Sequence, residues 1–255
     1  MITIKTKKDI AVLREGGRRH AEIIRELAKM VRPGITAAEL NRRAEELILA
    51  GGDTAAFLNY KPEGAPRPYP ASLCVSINEE IVHGIPNEKE KIIKEGDIVS
   101  LDLGLVHKGL ITDSAITVAA GNASKDLENL LRVTWKALMA GIKEAKGGRR
   151  VGDISNAIER IGVAGKYGIV EELSGHGVGY HVHEDPYVPN YGEAGQGEVL
   201  KPGMVIAVEP MFNLGTRRIK LDRDGYTYRT ADGKPSAHFE HTIVITKGDP
   251  EILTI

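Results

Sequence analysis

The stretch DIVSLDLGLVHKGLITDSAITV, residues 97–118, decides the fold because it reads as two neighbouring core strands. Each strand contains one aspartate, Asp102 in the first and Asp113 in the second, without an obvious cationic partner along its own strand. A carboxylate buried in this way is so costly that it normally becomes protonated, pairs with a cation or binds a metal. Which of these outcomes applies to the two aspartates depends on what the rest of the chain places beside them.

The alternation of side chains along the first strand separates Asp102 from the apolar residues, since successive side chains point to opposite faces. The odd positions from 99 to 105 are all apolar, whereas Asp102 shares its face with Ser100 and Gly104. Small neighbours leave space beside the carboxylate. The pattern therefore favours an approaching ligand over a long cationic side chain.

An internal echo relates the two parts of the chain. KEGDIVSLD (94–102) and KPGMVIAVE (201–209) both place a glycine two residues after a lysine and a carboxylate eight residues after it. DSAITVAAG (113–121) and EHTIVITKG (240–248) both lead from a carboxylate through an apolar strand to a glycine eight residues later. We expect one domain over residues 1–255, built from two related α/β halves of roughly 1–121 and 122–255.

The remaining elements are predicted from periodicity and from turn residues. Helical spacing fills the first 50 residues, where Thr36 and Glu39 predict a capping box at the start of a second helix. Residues 59–72 contain four prolines and predict a loop, and Asp224-Gly225 predicts a hairpin turn. Further strands and helices are predicted around 73–77, 97–106, 110–118, 125–145 and 151–161.

Composition narrows the class of protein. The chain has 255 residues, 42% of them hydrophobic and 27% charged, with a net charge of −1, as expected for a soluble globular protein. That balance argues against nucleic acid or a membrane as the main partner. Cys74 is the only cysteine, which excludes an intrachain disulfide and a cysteine-based zinc module. We expect a cytoplasmic monomer, because the sequence has no signal peptide, membrane helix or evident coiled coil.

Four carboxylates would converge if the two halves are related by a pseudo-twofold axis. Even at an effective dielectric constant near 20, two such charges at ~4 Å repel by about 4 kcal/mol, which two divalent cations would offset. The alternative is that they are separate surface or strand-end acids, which is less consistent with their matching positions. The four carboxylates are Asp102, Asp113, Glu209 and Glu240.

The imidazole candidate lies in SGHGVGYHVHEDP, residues 174–186, where glycines flank His176 and permit close approach of a ligand. His181 and His183 follow within the same stretch and could suggest a three-histidine zinc site, but that site would leave the carboxylates unexplained. A carboxylate-rich site with one imidazole suits Mn, Fe(II) or Co better than structural zinc. His20 and His107 are interpreted as ordinary core or surface residues.

The ordered motifs SLDLG, ITDSA, SGHGVG, AVEP and HFEHT resemble those of type I methionine aminopeptidases, and the resemblance covers nearly the whole chain. It implies the pita-bread α/β fold, with two pseudo-twofold-related halves around a central antiparallel sheet. It also implies a dinuclear centre of Co, Mn or Fe(II), with Zn or Ni as further options, in which Asp113 and Glu240 bridge the metals. The implied ligands are Asp102, Asp113, His176, Glu209 and Glu240.

The same resemblance implies cytoplasmic removal of the N-terminal methionine from nascent polypeptides, when the second residue is small. Glu209 would also move protons, His183 would steady the carbonyl oxygen, and His83 in VHGIPN would contact the scissile amide. His181 matches no family role and is interpreted as structural. The ribosome surface is a further expected partner.

An apolar pocket for the methionine side chain is expected at Phe57, Tyr60, Cys74 and Tyr226, because aromatic and polarisable groups suit sulfur. The chain departs from the family at Val182, where an aromatic is commoner, and in loop 59–72, which is longer than usual. Two alternatives are an Xaa-Pro dipeptidase or aminopeptidase of the same fold and a metal-free pseudoenzyme that binds peptides. The VHGIP and AVEPMF contexts favour the methionine enzyme, and all five ligand residues argue against the pseudoenzyme.

Overall fold

The computed structural model describes residues 2–255, and its helices begin where the sequence supplies capping groups. The Thr36 hydroxyl accepts the Glu39 N–H at 3.2 Å, and the Glu39 carboxylate accepts the Thr36 N–H at 2.8 Å. This confirms the predicted capping box, which satisfies N–H groups that have no partner inside the helix. The helices are Lys7–Met30 (α1), Ala37–Ala50 (α2), Lys125–Glu144 (α3) and Val151–Gly165 (α4).

Strands occupy much of the chain between and after these helices. The first five are Thr54–Ala55 (β1), Leu73–Ile77 (β2), Glu80–Val82 (β3), Ile98–His107 (β4) and Leu110–Ala119 (β5). The next five are Gly168–Ile169 (β6), Ser174–Gly177 (β7), Glu184–Pro189 (β8), Val205–Val208 (β9) and Met211–Asn213 (β10). The last five are Ile219–Leu221 (β11), Tyr228–Thr230 (β12), Ser236–His238 (β13), Glu240–Val244 (β14) and Glu251–Ile252 (β15).

A nine-stranded antiparallel sheet forms the centre of the fold. Its order is β1-β4-β5-β14-β9-β7-β8, with β2 added beside β4 and β15 beside β14. The pair β5–β14 joins a strand from each part of the chain, and the echoing strands β4 and β9 lie outside this pair. The echo seen in the sequence therefore corresponds to a symmetric order of strands.

The two largest hydrophobic clusters lie against matching parts of this sheet. One contains Leu27 from α1, Leu40 from α2 and the odd-numbered residues 99 to 105 of β4. The other contains residues of α3 and α4 together with Ile206 and Val208 of β9. Burying these side chains removes apolar surface from water, which stabilises the sheet and fixes which face is left for polar groups. The predicted apolar face of the first strand is confirmed.

The β4–β5 hairpin turns through Lys108 and Gly109, whose φ angles are 49° and 81°. Two successive positive φ values define the type I′ turn that suits the twist of paired strands. This tight turn sets the register of the whole hairpin, in which Ile98 pairs with Ala119 and His107 with Leu110. The register determines which residues of the two strands share a face.

The predicted connections also appear in the structure. Asp224-Gly225 lies in the turn between β11 and β12, and residues 59–72 contain no helix or strand. That loop is anchored where the Tyr226 hydroxyl donates to the Arg67 carbonyl oxygen. Within residues 2–255, no helix is both long enough and apolar enough to span a bilayer.

Candidate metal centre

Asp102 and Glu240 lie in one row across the central sheet, because each is the register partner of Ala115 on β5. Residues directly opposite on paired strands share a face, so both carboxyl groups point to the same side. Neighbouring strands are about 4.8 Å apart, which separates the two Cα atoms by about 10 Å. Only the methyl group of Ala115 lies between them, which leaves space into which both carboxyl groups extend.

Asp113 lies on the same face of β5 as Ala115, two residues before it. Its backbone is fixed, since its N–H donates to the Thr242 hydroxyl at 2.8 Å and that hydroxyl donates to the Asp113 carbonyl oxygen at 2.7 Å. Its register partner is Gly104, where an added Cβ would lie 2.7 Å from the Phe57 ring. The glycine is therefore required where the ring closes over the strand.

His176 enters the site from β7, between two glycines in close contact with neighbouring backbone. A Cβ at Gly175 would lie 2.4 Å from the Ala207 carbonyl oxygen. The His176 Nδ1 lies 2.9 Å from the Gly177 carbonyl oxygen, which can only accept, so Nδ1 carries the proton. Nε2 then presents a lone pair and lies 3.4 Å from Glu209 Oε1, at the end of β9. This tautomer suits a metal ligand.

Three of the expected ligands already meet at metal-binding distances. Donor atoms of Asp113, His176 and Glu240 all lie within 4.8 Å of one another, and all three residues are buried. Asp102 Oδ1, Asp113 Oδ1 and Glu240 Oε1 are buried and have no hydrogen-bond partner in the described part of the chain. Buried oxygens without donors fit divalent cations, which prefer carboxylate ligands. The donor set therefore fits a metal centre.

The electrostatics of the four carboxyl groups lead to the same conclusion. Burial raises the pKa of Asp102 to about 7. Burial, with the charges of Asp102 and Glu209, raises the pKa of Asp113 well above its usual range. The pKa values of Glu209 and Glu240 are also well raised, mainly by burial and then by neighbouring carboxylates. Without a bound cation, these four carboxyl groups must retain protons. Bound cations would neutralise the negative charge that remains when the protons leave.

His83 and His183 lie beside the carboxylates. The His183 ring centroid is 4.5 Å from that of His176, and burial lowers the His183 pKa. Burial and then His183 lower the His83 pKa to about 4, so both imidazoles are neutral near pH 7. His83 has a φ of 58°, a left-handed conformation that is uncommon outside glycine and is often found at functional sites.

The residues expected to form the pocket are brought together in one apolar cluster. Phe57, Cys74 and Tyr226 are buried in it, and Tyr60 packs against its edge. The Tyr60 hydroxyl lies 2.9 Å from His183 Nδ1, so the pocket directly adjoins the polar site. The cluster also contains Val182, the residue at which the family commonly has an aromatic.

Sequence reasoning missed three residues at or around this site. Tyr69 stands edge-on to Tyr226 in the apolar cluster, with ring centroids 5.1 Å apart. Glu184 forms a buried ion pair with Lys5 at 2.5 Å, beside the loop that carries His183. His238 lies two residues before Glu240, a spacing visible in the motif HFEHT, and faces the carboxylates. Burial lowers the His238 pKa to about 3.

Three other histidines lie away from the expected ligand set. The His181 side chain is exposed, and the backbone N–H of His181 donates to Glu184 Oε1 at 3.1 Å. His20 and His107 are buried, with Nδ1 atoms 3.0 Å from the Thr112 hydroxyl and 2.6 Å from Asp53 Oδ1. Both fit the interpretation as core residues.

The chain is similar to known proteins over its whole length. The model of metallopeptidase family M24 matches residues 11–247. A methionine aminopeptidase of Clostridium perfringens is 44% identical over 255 residues, covering 100% of this chain and 99% of its own length. Methionine aminopeptidase 1 of Bacillus subtilis is 44% identical over 254 residues, which cover 100% of this chain and 99% of the Bacillus protein.

Solved structures agree with these similarities. The crystal structure of a Thermotoga maritima methionine aminopeptidase has a TM-score of 0.95 at 41% identity, covering 100% of this chain and 99% of that one. An Xaa-Pro dipeptidase of Bacillus anthracis has a TM-score of 0.78 at 24% identity, covering 98% of this chain but 61% of its own. The second likeness concerns the fold alone. Together they confirm the pita-bread fold that the resemblance implied.

Proposed function

The chain belongs to metallopeptidase family M24, and from that premise we propose that it removes the N-terminal methionine from peptides and nascent polypeptides whose second residue is small. The observation that carries this proposal is the meeting of Asp113, His176 and Glu240 beside an apolar pocket. Similarity to methionine aminopeptidases over the full length supports the same activity. The enzyme is a metal-dependent exopeptidase of the hydrolase class.

We propose two divalent cations, held by the four carboxylates and His176. Bound cations of this kind polarise a carbonyl group and lower the pKa of water to near neutrality. Four buried acids and one neutral imidazole are a donor set suited to Mn, Fe(II) or Co, and Zn and Ni are also candidates. In this proposal Asp102, Asp113, His176, Glu209 and Glu240 would all serve as metal ligands.

Protons at the site are moved and held by residues of this chain. Glu209 accepts a proton from water and passes it on, which its position at the edge of the buried cluster supports. His183 donates a hydrogen bond to the oxygen of the scissile carbonyl as negative charge develops there. His83 contacts the scissile amide and helps the leaving amine depart. Both imidazoles are neutral near pH 7 and can therefore act as oriented donors.

The apolar cluster accepts the methionine side chain. Tyr60, Cys74 and Tyr226 offer aromatic and polarisable surface, which makes favourable contacts with a thioether. Phe57 closes the cluster over Gly104, so the pocket is bounded on the side of β4. A long unbranched side chain fits such a pocket, and a small second residue avoids crowding beside His83 and His183.

The decisive experiment compares peptides and metal states. Purified protein loaded with Mn(II) or Co(II) is incubated with Met-Ala-Ser, Met-Pro and Ala-Pro peptides, before and after chelation. Free methionine is expected from Met-Ala-Ser, and both chelation and Glu209→Gln should abolish its release. Activity confined to Xaa-Pro bonds would support the dipeptidase alternative. Peptide binding without metal or turnover would support the pseudoenzyme.

Organisation and setting are part of the proposal. Residues 1–255 form a single catalytic domain of two halves, roughly 1–121 and 122–255, which the shared central sheet supports. The enzyme acts as a monomer in the cytoplasm, where nascent chains carry their initiating methionine, and it meets them at the ribosome surface. Light scattering of the purified protein would test the monomeric state, and co-sedimentation with translating ribosomes would test the ribosome contact.

A further inference from the structure

His238 is a buried histidine that faces two of the carboxylates of the metal centre. Its residue exposure is 1%, and its Nε2 lies 3.7 Å from Glu209 Oε2 and 3.8 Å from Glu240 Oε2. Neither of its ring nitrogens has a hydrogen-bond partner among residues 2–255. A buried imidazole nitrogen without a hydrogen-bond partner is destabilising, because it has lost its contact with water and gained nothing in exchange. The position is therefore unfavourable unless another group engages the ring.

The backbone of His238 is fixed beside the carboxylates. The His238 backbone N–H donates to the Thr117 hydroxyl at 2.9 Å, and that hydroxyl donates to the His238 carbonyl oxygen at 2.6 Å. On the other side, His238 is the register partner of Met211 on β10. The next residue, Phe239, packs edge-on against Trp135 with ring centroids 5.7 Å apart. These contacts anchor the strand from which the ring extends toward Glu209 and Glu240.

We propose that His238 is a positioning residue of the metal centre, whose Nε2–H is shared by the carboxylates of Glu209 and Glu240 and holds both in the orientation that binds metal. This role rests on the proposed function. Nε2 is nearly equidistant from the two oxygens, so one N–H can be shared by both carboxylates. A carboxylate that binds a cation through one oxygen can accept this N–H with the other. Such hydrogen bonds to metal-binding carboxylates orient them and strengthen the site.

Removal of the N–H should weaken metal binding by about 10–100-fold, as is usual for groups that support metal ligands. The Kd for Mn(II) and Co(II) is measured by titration calorimetry on protein stripped of metal, with circular dichroism to verify folding. His238→Ala is expected to show the full loss. His238→Gln, which retains an N–H donor, should recover part of the affinity.

A matched control separates this effect from general damage to the strand. His241 is a buried histidine on β14, the next strand along the chain, and its Nδ1 lies 2.9 Å from the Thr254 hydroxyl. His241→Gln should leave the Kd within about threefold of the wild-type value, which is below the smallest loss expected for a supporting group. Equal losses in His241→Gln and His238→Ala would overturn the proposal, as would unchanged affinity in His238→Ala.

The Co(II) absorption spectrum distinguishes a positioning role from direct ligation. In His238→Gln saturated with Co(II), the ligand-field bands should keep their wild-type positions, because the ligand atoms are unchanged. A shift of those bands would make His238 a ligand and would overturn the positioning role. Absence of any metal binding by the wild-type protein would instead refute the proposed metal centre itself, so the two failures can be told apart.

Discussion

The Tyr60 hydroxyl lies 2.9 Å from Nδ1 of His183, which links the loop after β1 to the loop between β7 and β8. Burial raises the pKa of Tyr60, so the phenol keeps its proton near neutral pH. Burial also lowers the pKa of His183, so the imidazole is neutral there. When the phenol O–H donates to Nδ1, the single ring proton of the neutral imidazole must be on Nε2. The pocket wall would thus set the direction in which His183 donates.

Tyr60→Phe should therefore lower kcat more than it changes KM. A hydrogen bond of this kind contributes about 0.5–1.5 kcal/mol, which corresponds to about a 2–12-fold change in rate. Steady-state kinetics on Met-Ala-Ser gives both constants. Tyr167→Phe is the control, since that ring stacks on Phe212 away from the site. An unchanged kcat in Tyr60→Phe would contradict the orienting role.

Asp113→Asn should abolish turnover and yet stabilise the metal-free protein. Its carboxyl group is buried against Asp102 and Glu209, so an amide of the same shape relieves repulsion at the site. Removing such functional strain commonly adds about 0.5–2 kcal/mol to the free energy of unfolding. Urea denaturation of chelated wild-type and variant protein measures the gain, and methionine release measures the loss. Normal turnover in the variant would refute the metal-centre assignment of Asp113.

The stability of the metal-free protein should fall as pH rises. Asp102 has a pKa of about 7 in the folded protein, whereas an aspartate in the unfolded chain has a pKa of about 4. Between these two pKa values the folded protein holds a proton that the unfolded chain has released. The stability contributed by this proton is fully present below the pKa of the unfolded chain, and it is lost as the pH rises through the pKa of the folded protein. Thermal unfolding of chelated protein should give a lower Tm at pH 8 than at pH 5.5.

Metal binding should show the opposite pH dependence, because cations displace the same protons. Calorimetric titration with Mn(II) should give a lower Kd at pH 8 than at pH 6, and proton release should appear as a dependence of the heat on the buffer. Equal affinity at both pH values, with no proton release, would mean that the carboxyl groups are already ionised in the metal-free protein.

The ion pair between Lys5 and Glu184 should matter for both folding and turnover. Its side chains are 1% and 3% exposed, and Glu184 also accepts the N–H of Tyr180 at 2.6 Å. Lys5→Met leaves a buried carboxylate without its cation, which costs about 3–5 kcal/mol. The loop bearing His183 should loosen, with lower kcat at a temperature where the variant is still folded.

Arg14→Gln provides the matched comparison for that variant. Arg14 pairs with Glu251 at 2.5 Å, but both side chains are exposed, at 45% and 38%. Breaking an exposed pair changes stability by about 0–1 kcal/mol. Urea denaturation and kcat should therefore differ little from wild type. A similar loss in both variants would mean that burial of the Lys5 pair has no special effect on the loop.

Much of the fold was predictable because its signals are local. The capping box at Thr36, the apolar odd positions of the first strand and the echo between 94–102 and 201–209 all follow from spacing along the chain. Local spacing sets which face a side chain occupies. The five expected ligands were predicted from the resemblance of their order and residue types to methionine aminopeptidases. Their convergence could only be inferred, because it depends on how β5 and β14 pair.

The sequence by itself determined that Asp102 shares a face with small residues and that carboxylates recur in matching places in the second half. Only the tertiary structure decided that Ala115 separates Asp102 from Glu240 and that the ring of His238 is directed at Glu209 and Glu240. The physical reason is that a strand fixes the direction of its own side chains, whereas the partner across a sheet depends on register and packing between distant segments.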